Sequence, residues 1–485
     1  MKKVILIAFY FNQVNEIASK RLRALAKYLP QFGWEPIVIV PDLGFIPKEN
    51  DDLNCRIIYT EYEDMFAHFS NKFKLSDSNN SNNSNNSNNS NNSNKDHRAV
   101  LKDDSQGVLK DSTSFSNPVV SKAVSIAGEV FAYPDGMKYW QEYAFSEASK
   151  IIEEEEIDAI ISSSWPITCH TIAKDLKDKY GILWIADLRD LWNLNPYISH
   201  TFIRNHFERR LELKTFENVD ALTTTTDLAG KTLATLHPNN RIVPILSGYD
   251  EDDLKLLEEL SAENDKVDSQ LDDNLVSDLN DDVSEFNDKS DSELSCSDKL
   301  KFIYAGSLYG GKRNPENLFK AILQLEDENK LDSSNISIEF YGDDTHLKEM
   351  ASKYGLLDIV KIGGKIAHEE VLKRQLNSDV LLLISWNNEK EKMFIPGKIY
   401  EYFALRKPVM SIGYKEGALK DLIEETKVGY HVSDLESTKE VLMKFYNEFI
   451  ENGTVEFNSS IDIEDYSMEN MARKFADLLN DLNKE

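Results

Sequence analysis

Cysteine is scarce: Cys55, Cys169 and Cys296 lie far apart, with no Cys-x-x-Cys pair. That disfavours a disulfide framework or a cysteine zinc site and fits a reducing cytoplasm. The nine histidines show no His-x-x-x-His spacing, so no metal site is expected from them. No run approaches the ~18 uncharged apolar residues that a membrane-spanning helix needs. The opening Met1-Lys2-Lys3-Val4-Ile5-Leu6-Ile7-Ala8 has the look of a short signal sequence, but its apolar stretch is brief. Asn12 and Gln13 follow without a small-residue cleavage site, so it reads as a first buried strand. Basic charge is also short, with 55 Lys and Arg against 84 Asp and Glu, and the net charge of -29 argues against a nucleic-acid binder. Neither Gly-x-x-x-x-Gly-Lys-Ser/Thr nor Gly-x-Ser-x-Gly occurs, which disfavours phosphate-loop ATPases and serine hydrolases.

What is present is length and apolar content: 485 residues, 41% hydrophobic, enough for cores in two or three domains. Two segments lack core-forming composition. Leu75 to about Asn117 carries an Asn-Asn-Ser repeat and a polar tail, and reads as a disordered low-complexity insert. Asp250 to Asp298 holds 19 Asp and Glu against 3 Lys, so 16 of the 29 net negative charges sit in about a tenth of the chain. The part from about Glu258 reads as an acidic linker, which leaves the folded body only mildly acidic.

Elsewhere strands and helices alternate. Apolar runs at Val4-Tyr10, Pro36-Val40, Cys55-Tyr59, Asp158-Ser162, Leu183-Ala186, Ala221-Thr225 and Arg241-Leu246 are separated by helical stretches such as Met137-Glu154 and Thr201-Phe216. The pattern restarts after the acidic segment, from Lys301-Ala305 to Gly429-Val432. Continuous apolar strands alternating with helices mean parallel sheets covered on both faces. The expected fold class is α/β, with two tandem Rossmann-like doubly wound domains facing a cleft. Expected boundaries are 1–249, the acidic segment 250–299, a second domain 300–465, and a last helix within 466–485 that returns to the first domain.

The most informative stretch runs from Phe394 through Pro396-Gly397-Lys398 to Glu401 and Ala404. A strand feeds a loop, Pro396 and Gly397 open a helix, and Lys398 and Glu401 lie one turn apart on one face. A helix start beside a lysine suits a diphosphate, and a carboxylate one turn deeper can accept from a ribose diol. An ordinary exposed Lys/Glu pair is the bland alternative. Asp187-Leu188-Arg189-Asp190-Leu191-Trp192 ends another buried strand, which reads either as a functional acid pair or as a salt-bridge cluster. Asp250-Glu251-Asp252 imitates a metal-binding Asp-x-Asp, but acids in a helix's first turn are ordinary.

These motifs resemble the family 4 retaining glycosyltransferases, group 1 type, with the GT-B architecture, over nearly the whole chain apart from its two inserts. Tyr304-Ala305-Gly306-Ser307-Leu308-Tyr309-Gly310-Gly311-Lys312-Arg313-Asn314-Pro315 resembles that family's first strand and glycine-rich turn, Phe340-Tyr341-Gly342-Asp343 the next strand end, and Pro396 to Tyr402 its nucleotide-sugar helix. The resemblance implies that Arg313, Lys398 and Lys312 contact a donor diphosphate at the helix start by Gly397. It further implies that Glu401 holds the ribose and that the loop with Gly364 and Ile366 faces the base. The family's signature has two glutamates separated by seven residues; Glu401 is the second, and Met393 stands in place of the first. Glu391 lies two residues away.

In the amino-terminal half, Pro134-Asp135-Gly136 with Trp140, and Ser162-Ser163-Ser164-Trp165-Pro166 leading to His170, resemble the same family. By that likeness Asp187 and Asp190 are candidate catalytic groups on the acceptor side, with Arg189 and His170 beside them. Ser19, Arg21 and Arg23 are further acceptor-side candidates, at least one arginine being expected on a solvated helix face. The loop Phe11-Asn12-Gln13-Val14-Asn15-Glu16 lacks the glycine pair of many relatives. Val119, Val120, Ala123, Val124, Ile126, Ala127, Val130 and Phe131 form an apolar stripe, read as a packed helix with a membrane contact as the alternative.

The expectation is a metal-independent glycosyltransferase moving a sugar from a nucleotide-diphosphate donor to a glycan or lipid-linked acceptor. No cofactor is expected, since the nucleotide-sugar is a substrate, and no nucleic-acid partner. The expected setting is the cytoplasm, with peripheral contact to the inner membrane face. The rivals are a catalytically silent binding subunit and a sugar-nucleotide epimerase.

Overall fold

The structure, a computed structural model, describes residues 1–12, 17–44, 53–64, 133–198, 200–257, 259, 299–342, 346–459 and 462–484. The Asn/Ser-rich insert, most of the acidic segment, the apolar stripe from Val119 to Phe131, the loop from Gln13 to Glu16, and Asp343 lie outside these residues. The chain forms two compact units, Met1–Leu246 with Met471–Glu485, and Ser247–Asn470.

The first unit is built on seven parallel strands: β1 (Lys2–Ile7), β2 (Trp34–Pro41), β3 (Arg56–Thr60), β4 (Ala159–Ser163), β5 (Leu183–Leu188), β6 (Ala221–Thr224) and β7 (Ile242–Pro244). Their order is β3-β2-β1-β4-β5-β6-β7, reversing direction between β1 and β4. Val4 to Ile7 and all of β4 are buried, as strands sandwiched between helices must be, and this is why they read as unbroken apolar runs. The covering helices are α1 (Ile17–Tyr28), α2 (Gln141–Glu154), α3 (Thr168–Tyr180), α4 (Phe202–Thr215) and α5 (Asp227–Ala234). Thr201 and Thr226 cap α4 and α5 by accepting from the amides of Arg204 and Ala229.

The helix expected from Met137 is broken: Lys138–Trp140 forms a 3₁₀ turn and α2 starts only at Gln141. Two side-chain bonds fix the break, Met137 N to Asp135 Oδ1 at 2.9 Å and Trp140 Nε1 to Thr60 Oγ1 at 2.7 Å.

The second unit repeats the plan with β8 (Leu300–Ala305), β9 (Ile336–Tyr341), β10 (Val360–Gly364), β11 (Val380–Ile384), β12 (Val409–Ile412) and β13 (Gly429–Val432), in the parallel order β10-β9-β8-β11-β12-β13. Its helices are α6 (Glu316–Asp327), α7 (Leu347–Lys353), α8 (His368–Leu376), α9 (Lys398–Leu405), α10 (Ala418–Thr426) and α11 (Leu435–Asn452). Phe302, Phe319, Phe340 and Phe445 anchor one contiguous core. A final helix, α12 (Met468–Leu482), carries Met471, Phe475 and Leu479 at helical spacing, all buried, and from Met471 onward it belongs to the first unit. No helix among the described residues is long and apolar enough to cross a membrane.

Candidate functional site

In a doubly wound sheet, ligands bind at the carboxyl ends of the strands where the strand order reverses. In the second unit that point lies beside the end of β8, and three glycines shape it. Gly306 N donates to Tyr341 O at 2.7 Å and Gly342 N donates to Gly364 O at 2.7 Å, so the ends of β8, β9 and β10 are stitched together. Gly306 and Gly342 take φ values of +149° and +133°, which L side chains rarely adopt. A Cβ on Gly342 would collide with the Gly306 carbonyl, and one on Gly306 would collide with the Lys398 ammonium.

Lys398 therefore rests directly on the backbone at the switch point. Its Nζ also lies 4.9 Å from the centre of the Tyr304 ring. Arg313 reaches the same ring from the glycine-rich turn and hydrogen-bonds its hydroxyl. The turn is held by Gly311 N to Leu308 O and Arg313 N to Leu308 O, both 3.1 Å, and by a bridge between Arg313 and Trp386. Lys312 stacks on Trp386 at 5.4 Å and the Arg313 guanidinium on Tyr309 at 4.4 Å. Burial, and then the neighbouring charge of Arg313, press the Lys398 pKa down to about 8 against the opposing pull of Glu401. With Lys398 over the Tyr304 ring and Arg313 on its hydroxyl, two cations form a concentrated positive spot, which a diphosphate would relieve.

Gly397, at the start of α9, is exposed, and a Cβ there would meet nothing within 4 Å. Its value at this position is openness at a helix start rather than an unusual dihedral angle. Glu401 lies in the first turn of α9. Gly364 takes φ +66° at the end of β10, and Ile366 is half-buried two residues on, before α8. Glu391 ends a short 3₁₀ turn before Met393, and burial alone raises its pKa to about 7. The sequence-named residues Lys312, Arg313, Lys398 and Glu401 thus gather in one neighbourhood. Tyr304 and Gly342, from the two quoted strand ends, join them, as do Asp253 and His368, which no motif in the sequence singled out as site residues.

In the first unit the acidic strand end divides into two environments. Asp187 is fully buried. Its Oδ1 accepts from Arg21 Nη2 at 3.0 Å and Thr223 Oγ1 at 2.8 Å, and its Oδ2 from Arg21 Nε and Ser163 Oγ, both at 3.0 Å. Burial would raise its pKa, but the charge and hydrogen bonds of Arg21 outweigh that and hold it below the usual carboxylate value. With both oxygens engaged, Asp187 serves the interior rather than an acceptor. Asp190 differs: its carboxyl has no hydrogen-bond partner among the described residues, and burial raises its pKa against the charge of Arg189. Arg189 donates from Nε to Ser164 O at 2.6 Å, tying this loop to the end of β4.

His170 is buried in the core, its Nδ1 2.8 Å from Ser162 Oγ, which itself accepts from Trp184 Nε1 at 2.8 Å. Burial drives its pKa down to about 3, so it is a neutral packing group rather than a surface acid. Arg21 and Arg23 correct the expectation of a solvated arginine, since both are buried. The loop after β5 is pinned by two α4 carboxylates that the sequence did not single out: Glu208 accepts from Trp192 Nε1 at 2.7 Å and Glu212 from Asn193 N at 3.0 Å. A cavity of about 690 Å³ lined by Lys2, Gly33, Asp158 and Asn480 opens at the opposite, amino-terminal ends of the strands.

Residues 285–462 match the family model described as glycosyl transferases group 1. No curated protein matches the chain. Among solved structures, sucrose-phosphate synthase from Thermosynechococcus elongatus is similar with a TM-score of 0.54 at 12% identity, over 99% of each chain. Anabaena HepE in complex with UDP-glucose is similar with a TM-score of 0.52 at 12% identity, over 99% of this chain and 100% of that one. At such identity the likeness is one of fold. The chain thus has the two-sheet α/β fold of the GT-B glycosyltransferases, and its second unit carries the match to the group 1 model.

Proposed function

We propose that the chain is a retaining glycosyltransferase of the family 4 type. It transfers a sugar from a nucleotide-diphosphate donor, bound by the second unit, to a glycan or lipid-linked acceptor on the first. The observation that carries this is the Lys398 ammonium seated on Gly306 at the strand-order switch, with Arg313 on the same tyrosine. The family match falls on this unit. The two cations and the α9 start stabilise the charge developing on the departing diphosphate, so the transfer needs no metal ion. Glu401 accepts from the ribose hydroxyls, and the acceptor hydroxyl attacks from the face that the diphosphate leaves, its proton passing to the departing diphosphate oxygen as the sugar–diphosphate bond breaks. Asp190, with its raised proton affinity, is the acceptor-side acid, and Asp187 positions the strand end from within. The setting is cell-surface polysaccharide or glycoconjugate synthesis in the cytoplasm, with peripheral contact to the inner membrane face where the acceptor is lipid-linked.

The test is a thermal-shift titration with UDP, GDP, ADP and dTDP, each with and without EDTA. A ligand that binds only the folded state raises the midpoint. A rise with one nucleotide, kept in EDTA and lost in Lys398→Ala, supports the donor site; no rise with any of them counts against it. One observation favours a second reading, a silent binding subunit: Met393 stands where the family has a carboxylate. Glu401→Ala separates the two, abolishing transfer in an enzyme and leaving partner binding intact in a subunit.

A further inference from the structure

Three side chains from distant parts of the second unit converge without any local motif. Asp253 comes from the helix at 251–257, His368 from the first position of α8, and Glu401 from the first turn of α9. One ligand atom from each lies within 4.8 Å of the other two. Asp253 Oδ1 and His368 Nε2 are 3.2 Å apart, close to the ligand–ligand edge of ~3.3 Å that tetrahedral coordination with bonds of ~2.0 Å sets. Glu401, with a carboxylate oxygen within 4.8 Å of both, supplies the third ligand.

One imidazole nitrogen with two carboxylate oxygens is a set that zinc-like ions prefer, whereas magnesium and calcium seek oxygen alone. The two carboxylates repel each other at this separation, and a dication between them removes the repulsion. The His368 side chain is 50% exposed and that of Asp253 20%, so an ion can enter and keep an open coordination position for water.

We infer that Asp253, His368 and Glu401 bind a divalent transition cation of the zinc type, and that the bound cation blocks Glu401 from its ribose. Binding needs an unprotonated His368 Nε2, so any proton there moves to Nδ1 or to solvent as the metal takes its place. The cation site rests on the three side chains alone; only the blocking rests on the transferase reading. It is separate from catalysis, which the cations at Arg313 and Lys398 serve.

The test is a calorimetric titration of the chelator-stripped full chain with zinc chloride alone. The expected result is one saturable equivalent, weakened at least tenfold in His368→Ala and in Asp253→Asn, with His346→Ala behaving as the unaltered chain. Absence of saturable binding, or binding that His368→Ala leaves intact, overturns the site. A second titration adds the nucleotide that gave the thermal shift. Zinc should raise its apparent Kd at least tenfold in the unaltered chain and not in His368→Ala. Unchanged nucleotide affinity with zinc bound overturns the blocking. A chain that binds zinc but none of the four nucleotides faults the transferase reading and leaves the cation site standing.

Discussion

Arg21 and Asp187 form a two-pronged ion pair inside the first unit, with both N–O distances at 3.0 Å and side chains 3% and 0% exposed. The same guanidinium donates to the carbonyls of Ile245 and Leu246, reaches Met471 Sδ at 3.1 Å, and packs on the Phe475 ring. One arginine therefore fastens β5 to the point where the chain leaves the first unit and to the helix with which it returns. Removing one partner of a buried pair strands the other charge, at a cost of about 3–5 kcal/mol. Asp187→Asn should lose that much in urea denaturation, and Arg21→Met with Asp187→Leu should recover most of it.

The same pair sets an acid limit. The Asp187 pKa is depressed in the fold below its ordinary 3.8, so the stabilisation is complete above that value and fades as pH falls through the lower, folded value. The gap between the unaltered chain and Asp187→Asn should be widest near neutral pH and close at strongly acid pH. Denaturation curves at successive pH values measure it, and a gap that persists in acid would refute the assignment.

Asp190 should separate from Asp187 in kind. Its carboxyl is unengaged among the described residues and inclined to hold a proton. Asp190→Asn should therefore leave the thermal midpoint unchanged while lowering transfer by about 10²-fold, the usual range for a positioned acid or base. Steady-state kinetics with sugar donors that carry the nucleotide giving the thermal shift, run beside a melting curve, decide it. A melting loss without a rate loss would make Asp190 a structural residue.

The strands were legible because they are buried on both faces, and α12 falls inside the 466–485 segment where a last helix is expected. What escaped was burial of charge. Helical spacing shows which residues share a face of α1, but not that Arg21 and Arg23 face the interior. Asp187 and Asp190 look equivalent three residues apart, and Arg21, 166 residues away from Asp187, together with Thr223 and Ser163, distinguishes them. His170 looks like a functional imidazole until Ser162, Trp184 and Phe216 enclose it. Asp253 and His368 meet across 115 residues, beyond any spacing rule. Lys398 and Glu401 were legible as a pair because one helical turn relates them, whereas the need for glycine at 306 resides in the lysine that lies on it.

That lysine gives a pH-dependent prediction. With a pKa of about 8, Lys398 is charged below that value and neutral above it in the free protein. A bound diphosphate favours the ammonium, so binding above pH 8 must take up a proton, and affinity should fall about tenfold per pH unit there. Calorimetry in two buffers of different ionisation enthalpy reads the uptake directly. Lys398→Arg should abolish the pH dependence, and Gly306→Ala should weaken binding by displacing the ammonium. Affinity that is level from pH 7 to 9.5 would remove Lys398 from the diphosphate site.

Glu391 tests whether the loop at Met393 retains a working carboxylate. Burial raises its pKa from 4.5 to about 7, so the fold prefers it protonated. The sign runs opposite to Asp187: ionising Glu391 opposes folding, and the penalty grows as pH rises from 4.5 through 7 and is full above it. The group is partly exposed, and solvent screening reduces the effect to on the order of 1 kcal/mol. Glu391→Gln should therefore match the unaltered chain near pH 4 and be the more stable protein at pH 8. If the same variant also loses sugar transfer while still binding nucleotide, Glu391 supplies the carboxylate that Met393 cannot. If transfer is unaffected, the raised pKa is only a cost of burial, and sugar recognition lies elsewhere in the loop.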